Sequence, residues 1–539
     1  MSESSTSALI APSLCPRRPY GGRTNDALPK SVPIIGLGCS SFSTFFKPEA
    51  LDADARGSSI SRDSFDSDSY HPSDPDGLSS TSAPAARGTN EQESETMVTK
   101  LTRDTITKGY PQVQKWIGTI RHAILDCGIN LLDTAPWYGH GVSEIVVGYA
   151  LEDIISDDTA NGKKISRSDL IVNTKVGRYE ANPAEMFDFS YDRTIESVKT
   201  SLERLKCGDY IDVIQLHDPE FSPSIQLLLD ETIPALLEVK SRGWAKAIGI
   251  TGYPLEVQKD ILVRSAVRKG RSYDTPTFVF DQALTYCHAN LHDMSLFIAP
   301  PPPSPLVFEP PSTVSLSSDA DRTLIASNAT VGSTSSVGSG GDKSNKGNNA
   351  ASAQDNLTGI GEEEEFEEMS FSEFCAAKGI ALMAAAPLSM GLLTQAGPPD
   401  WHPAPEELKE ACRNAAYICR EEYGVDIASL AILFALAQGE IPCTLLGMKS
   451  VEEVDRAMEL ARRFDGLDPN LSTEEVLVTI LNEEEGEALA TVLDDEYGPF
   501  AQIWMDGEFS WDGFEEAAKL WDKVEGGREK AEAKMRERN

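Results

Sequence analysis

Four residues in the first half of the chain have types and positions that suit acid–base chemistry: Asp133, Tyr138, Lys175 and His217. Each lies at or just past the end of a short apolar run. The stretch "LLDTAPWYGHGVSE" from Leu131 to Glu144 carries the first two. A lysine at such a place needs a carboxylate to hold it, and Asp133 supplies one. A cation beside a phenol favours the phenolate, so Lys175 is expected to lower Tyr138 from its reference pKa of about 10. Such a tyrosine exchanges a proton with an alcohol or carbonyl oxygen near neutral pH. A neutral His217 beside it orients that oxygen. Taken singly, each residue has an ordinary reading as a cap, a solvated lysine or a satisfied core histidine. Together at one mouth they describe a hydride-transfer site that needs an external cofactor.

The elements that position these groups alternate regularly. Short apolar strands are expected over 32–38, 129–135, 169–177, 210–218, 245–251, 277–283, 380–386 and 441–447. Helical spacing follows each of them, as in 113–128, 143–155 and 192–208. Gly128 is read as a helix C-cap, and Ser143 as an N-cap. Strands buried on both faces and followed by helices fit an α/β fold, a (β/α)8 TIM barrel, over 31–464. An open doubly wound sheet shares the alternation. However, Gly36 and Gly38 lack the third glycine and the immediate helix of a dinucleotide fingerprint. In a barrel the C-terminal strand ends carry the chemistry, and the four residues lie there.

Three regions are read as disordered: 1–30, and two insertions over about 47–108 and 299–368. They are rich in Ser, Asp, Gly and Pro and poor in aliphatic residues. A helical C-terminal extension is expected over 465–539, with Trp504, Trp511 and Trp521. It is read as surface packing in preference to a lid over the mouth. The chain of 539 residues has 48 Lys+Arg against 85 Asp+Glu, a net charge of -37. That charge repels nucleic acid and anionic membranes, so neither is expected as a partner. No segment nears the roughly 20 apolar residues of a membrane helix. The 9 cysteines read as reduced core residues. A cytoplasmic protein is expected; protein partners and oligomeric state are not legible, and no metal site is read.

Near the other end of the chain, "LLGMKSVEEV" places Gly447, Met448, Lys449 and Ser450 at a strand-to-helix turn. Gly447 allows close backbone approach, Lys449 adds charge, and the helix N-terminus favours an anion. "APLSMGLLT" puts Ser389 and Gly391 in the preceding loop, the other half of the usual phosphate site of such barrels. With "LLDTAPWYG", "IVNTKVGR" and "IQLHDPE", these motifs resemble the aldo-keto reductase superfamily, from Val32 to about Phe464. The resemblance implies that Tyr138 is the proton donor or acceptor, that Lys175 and Asp133 tune it, and that His217 orients the substrate. It implies that Gly447, Met448, Lys449, Ser450, Ser389 and Gly391 lie in the cofactor loops. Thr251 and Gln282 would hold the nicotinamide carboxamide.

"GITGYPLEV", "LTYCHAN" and "PLSMGLLT" are similar to the branch of L-galactose and D-arabinose dehydrogenases. That branch oxidises C1 of an aldose to a lactone. The long Ser-rich insertions are of a fungal kind and favour D-arabinose and the erythroascorbate route. Two departures stand out. Thr251 and Gly252 replace a common Ser-Asn pair, and Ala385 stands where many members carry a stacking Tyr, with Tyr286 as a substitute. Two other functions fit the same tetrad: a broad NADPH-dependent aldehyde or ketone reductase, and a non-catalytic nucleotide-binding regulatory subunit. NAD is expected as the preferred cofactor, because Asp455, and Glu452 and Glu453 if they point inward, bring negative charge toward the adenosine end. Lys449 keeps NADP usable.

Overall fold

The computed structural model describes residues 14–22, 28–43, 102–157, 165–266, 277–299, 369–399, 402–501 and 519–537. Contacts divide the chain into a large unit, 1–298 with 370–539, and a second, 299–369. The second lies outside the described residues but for its two end positions. Most of the expected first insertion also lies outside them.

Among the described residues, eight parallel strands close a barrel in chain order. They are β3 (Ile35–Gly38), β4 (Leu131–Asp133), β5 (Ile171–Val176), β6 (Ile211–His217), β7 (Ala245–Gly252), β8 (Gln282–Tyr286), β9 (Ala381–Ala385) and β10 (Thr444–Gly447). β10 pairs with β3, with Thr444 opposite Ile35, and this closes the cylinder. The expected TIM barrel is the fold. Alternation sends every second side chain inward. Leu131, Ile171, Val213, Ala247, Leu284, Met383, Cys443 and Leu445 meet there as one cluster. Gly36 faces the same layer: a Cβ there would lie 2.5 Å from Leu445 Cδ2 and 3.0 Å from Cys443 Sγ.

Three expectations are corrected. Residues 1–30 were read as unstructured, but β1 (Arg17–Pro19) and β2 (Ser31–Pro33) form an antiparallel hairpin. Tyr20, Leu28 and Val32 from this hairpin pack into the inward cluster and floor the barrel. The Pro and Gly residues that suggested disorder are the hairpin's own turn material. The insertion end near 108 is also too late, since 102–106 already form a turn that buries Ile106. The sixth barrel strand begins at Gln282, not 277. Phe278 packs against Phe374 at 5.8 Å, outside the ladder. Asp281 accepts the Ile248 N–H at 2.9 Å through its side chain. The apolar run before Gln282 is a lead-in, not a strand.

Of the C-terminal extension, helices Thr473–Ile480 and Glu483–Val492 are each set by a capping box, Ser472 with Glu475 and Asn482 with Glu485. Ala488, Leu489, Val492 and Phe500 join a second core cluster with Leu392, Leu393 and Leu408. These residues pack as expected; Trp504 and Trp511 lie outside the described residues. All nine cysteines are described, buried and free. Among the described residues no helix is long and apolar enough to cross a membrane.

The inward layer has no spare room at Gly36. Gly36→Ala is expected to cost about 1–3 kcal/mol through overpacking. Gly118, exposed within the helix Pro111–Leu125 with no atom near an added Cβ, is the contrast. Gly118→Ala is expected to gain about 0.5–1 kcal/mol. Urea unfolding of both variants checks this, and a Gly36→Ala protein as stable as wild type would contradict the packing described.

Candidate active site

Asp133 ends β4, Lys175 is the last but one residue of β5, and His217 ends β6. The register pairs Asp133 with Asn173, Lys175 with Gln215, and His217 with Thr251. Alternation therefore turns all three side chains into the barrel at its C-terminal end. Tyr138 arrives from the turn after β4, where its N–H bonds Ala135 O at 3.1 Å. Ser143, expected as an N-cap, sits inside its helix instead; Gly141 is the N-cap. The Ser143 hydroxyl donates to Cys39 O at 2.7 Å and lies 2.8 Å from the Thr134 hydroxyl, pinning the turn to β3.

The four groups meet. Lys175 is 1 % exposed. Its ammonium donates to Asp133 Oδ1, to Thr134 O at 2.8 Å and to the Tyr138 hydroxyl at 3.2 Å. Three donors thus find three acceptors. The second Asp133 oxygen accepts from Gln215 Nε2 at 2.7 Å. The His217 ring stands edge-on to Tyr138, centroids 6.2 Å apart.

Burial alone would strip the Lys175 proton, but the Asp133 charge and then Tyr138 outweigh it and hold the pKa above the ordinary lysine value. Burial pushes His217 down to about 3, with Lys175 and Arg178 adding to the effect and Asp218 opposing it. The imidazole is neutral, as the residue pattern implied. Tyr138 differs from expectation. Burial raises its pKa, Lys175 lowers it, and Asp133 raises it again, for a net rise. The lysine acts in the expected direction, but desolvation of the phenolate is the larger effect.

The cofactor positions divide. Gly447 is exposed, with no atom within 4 Å of an added Cβ, and Lys449 is exposed beside it at the start of helix Val451–Ala461. Thr251 ends its inward row next to His217. Gly391 flanks the β9 loop, partly buried against Pro399. These positions fit a nicotinamide dinucleotide. Others are already committed. Met448 is buried. Ser450 caps the helix, accepting the Glu453 N–H at 3.3 Å. Ser389 is 0 % exposed, its hydroxyl 2.7 Å from His292 Nε2 and its carbonyl 3.0 Å from His402 Nε2. Gln282 begins β8 at the floor side, 0 % exposed, with its amide bonded to Tyr20 and Gln215. The polar atoms of Ser389 and Gln282 are thus engaged within the protein. Asp455 turns to the barrel's exterior, where it bonds His122 Nε2 at 2.7 Å.

The residue-type argument missed Gln215, Arg178, Asp218 and Glu220. Arg178 bonds Asp218 at 2.7 Å and lies over the Trp137 ring at 4.1 Å. Asp218 takes a left-handed φ of 48° directly after His217. Glu220 is buried. One of its oxygens accepts the Tyr253 N–H at 3.1 Å and the other has no hydrogen-bond partner. Burial, then Asp218, pushes its pKa up to about 8. A Cβ at Gly252 would lie 2.6 Å from that oxygen. Glu220 thus accounts for the glycine in place of Asn. Tyr286 ends β8 opposite Ala385, its ring 5.3 Å from Tyr253.

A family model, the aldo/keto reductase family, matches residues 103–278 and 326–466. The chain belongs to that family. It is 31% identical to L-galactose dehydrogenase of Arabidopsis thaliana over 351 residues, 65% of this chain and 79% of that one. It is 26% identical to D-arabinose 1-dehydrogenase of Saccharomyces cerevisiae over 334 residues, 62% and 72% of the two chains. A solved aldo-keto reductase of Bacillus halodurans in its holo form is similar at 22% identity and a TM-score of 0.40, covering 70% of this chain and 86% of that one. Family members are oxidoreductases that use nicotinamide cofactors. Gly447 and Lys449 are exposed, and Thr251 is buried beside His217.

The buried ion pair yields a stability test. Lys175→Met leaves Asp133 charged without its cation and is expected to cost about 3–5 kcal/mol. Adding Asp133→Leu removes the orphaned charge, so the double variant should be more stable than Lys175→Met alone. Urea unfolding of the full double-mutant cycle reads the coupling. Strict additivity would mean that the two groups do not depend on one another.

Proposed function

We propose that the protein oxidises an aldose of the D-arabinose or L-galactose type at C1 to the lactone, with NAD+ preferred as hydride acceptor. The observation that carries this reading is Lys175, its ammonium shared between Asp133, the Thr134 carbonyl and Tyr138. An ammonium fixed in this way stabilises a tyrosinate at one point on the mouth. Bound NAD+ supplies the place for the C1 hydride. Tyr138 takes the proton of the C1 hydroxyl, Lys175 stabilises the resulting charge pattern, and neutral His217 orients the oxygen. The partly free Glu220 carboxyl and the Arg178–Asp218 pair next to His217 make the mouth polar, which suits a polyhydroxylated substrate. The likeness to two sugar dehydrogenases supports the same substrate class.

Purified protein, either cofactor and a panel of aldoses test this reading through absorbance of the reduced nicotinamide. Tyr138→Phe is expected to lose about 10²–10⁴-fold in kcat while still binding cofactor. Because burial holds Tyr138 above the ordinary value of 10.0, its phenolate fraction grows only at alkaline pH. Sugar oxidation should therefore accelerate as pH rises, and carbonyl reduction should slow. A Tyr138→Phe enzyme at near wild-type rate would remove that residue from the mechanism. Fast reduction of unrelated aldehydes with NADPH, without sugar oxidation, would favour the broad reductase. Nucleotide binding without turnover of any substrate would favour a regulatory subunit.

Cofactor preference rests on Glu453. Its carboxylate accepts the Lys449 N–H at 2.8 Å and lies 3.8 Å from the Lys449 ammonium. An added 2′-phosphate would compete with that carboxylate for the same donors. Glu453→Gln is expected to tighten NADP+ binding by roughly threefold and leave NAD+ unchanged, the scale of an exposed ion pair. Fluorescence titration gives both Kd values. A wild-type protein that binds NADP+ more tightly than NAD+, and loses this in Lys449→Ala, would reverse the assignment.

A further inference from the structure

A line of buried hydrogen bonds runs through the barrel from its floor to its mouth. The Tyr20 hydroxyl donates to Gln282 Oε1. Gln282 Nε2 donates to Gln215 Oε1 at 3.1 Å. Gln215 Nε2 donates to Asp133 Oδ2 at 2.7 Å. Asp133 Oδ1 receives Lys175, which also donates to Tyr138. Tyr20 is 2 % exposed, and Gln282 and Gln215 are wholly buried. Tyr20, Gln282 and Gln215 have no solvent to take instead of these partners.

We propose that Gln215, Gln282 and Tyr20 are positioning residues for the acid–base chemistry of Tyr138, acting through Asp133. The direction of the line supports this. An amide can present either its oxygen or its nitrogen, and a reversed Gln215 would set its oxygen against the Asp133 carboxylate. The Asp133 carboxylate, which can only accept, sets the sense of Gln215; Gln282 then donates to the Gln215 oxygen, and the Tyr20 hydroxyl, able to donate or accept, completes the line by donating to Gln282. Each donor therefore points toward Asp133, and aligned hydrogen bonds polarise one another in a dry interior. Asp133 is held by donors on both oxygens, so Lys175 is held where Tyr138 needs it. Tyr20 acts from the N-terminal hairpin, at the opposite end of the barrel from the chemistry.

This inference rests on the assignment of Tyr138 as the acid–base group. Two near-isosteric variants test it. Gln215→Met keeps the volume and removes the donor. Tyr20→Phe removes one hydroxyl far from the mouth. Loss of a hydrogen bond to a charged group is expected to lower kcat by about tenfold in Gln215→Met, and the more remote loss by about threefold in Tyr20→Phe. KM for the aldose and Kd for NAD+ should stay constant. A second readout needs no turnover. Ultraviolet difference titration of each protein against its own Tyr138→Phe partner isolates the ionisation of Tyr138. With Asp133 loosened, Lys175 no longer sits against the phenol, and Tyr138 should titrate at higher pH in both variants. If melting temperatures fall while kcat and the Tyr138 titration match wild type, the line only stabilises the barrel and the proposal is wrong. If Gln215→Met does not fold, Tyr20→Phe decides alone. If wild type oxidises no aldose, the sugar reading fails, while the titration still decides the positioning role.

Discussion

The site depends on keeping one ammonium charged where water does not reach. An isolated cation in the position of Lys175 would lose its proton, because desolvation of a charge outweighs most single contacts. The structure answers with one full charge, one carbonyl and one hydroxyl. Each answer fixes another element. Asp133 has to end its strand in phase with Lys175. The β4 turn has to bring Thr134 O and Tyr138 to the same point, which the Ser143 contact to Cys39 secures. Parallel register does the rest, since neighbouring strand ends deliver inward side chains to one level.

Much of this was legible in the sequence because it depends on residue type at strand ends. Asp133, Lys175 and His217 close apolar runs, and an apolar run that ends in an ionisable group is visible without coordinates. What was not legible depended on direction. Gln282 lies next to a familiar apolar run, but the ladder starts at Gln282 and does not end there, so its amide enters the floor layer. Ser389 lies in the right loop, yet His292 and His402 claim its polar atoms. Asp455 lies in the expected helix and bonds His122, a partner distant in sequence. None of these is set by local residue type; each is set by strand phase or by a partner distant in sequence. The sign of the Tyr138 shift failed for another reason. Charge proximity can be inferred from a motif, but the extent of burial cannot.

The mouth also stores conformational constraint. Asp218, Cys287 and Ala386 follow the ends of β6, β8 and β9, and each adopts a positive φ without being glycine. Such residues cost of order 1–3 kcal/mol apiece and persist where the surroundings dictate them. At Asp218 the gain is direct: the kink follows His217 and swings the Asp218 carboxylate to Arg178. The departure at Gly252 belongs to the same design, because the side chain missing there leaves the space that Glu220 fills.

The N-terminal hairpin has a consequence for biosynthesis. Arg18 donates to the carbonyls of Leu436, Gln438 and Ile441, and β3 finds its second neighbour only in β10. The floor of the barrel is thus made by residues that leave the ribosome early and clasped by residues that leave it late. A nascent chain that has not yet released β10 has strand ends but no closed cylinder. Contacts of such long sequence separation form slowly. The buried environment of Lys175 is therefore completed only once β10 pairs with β3.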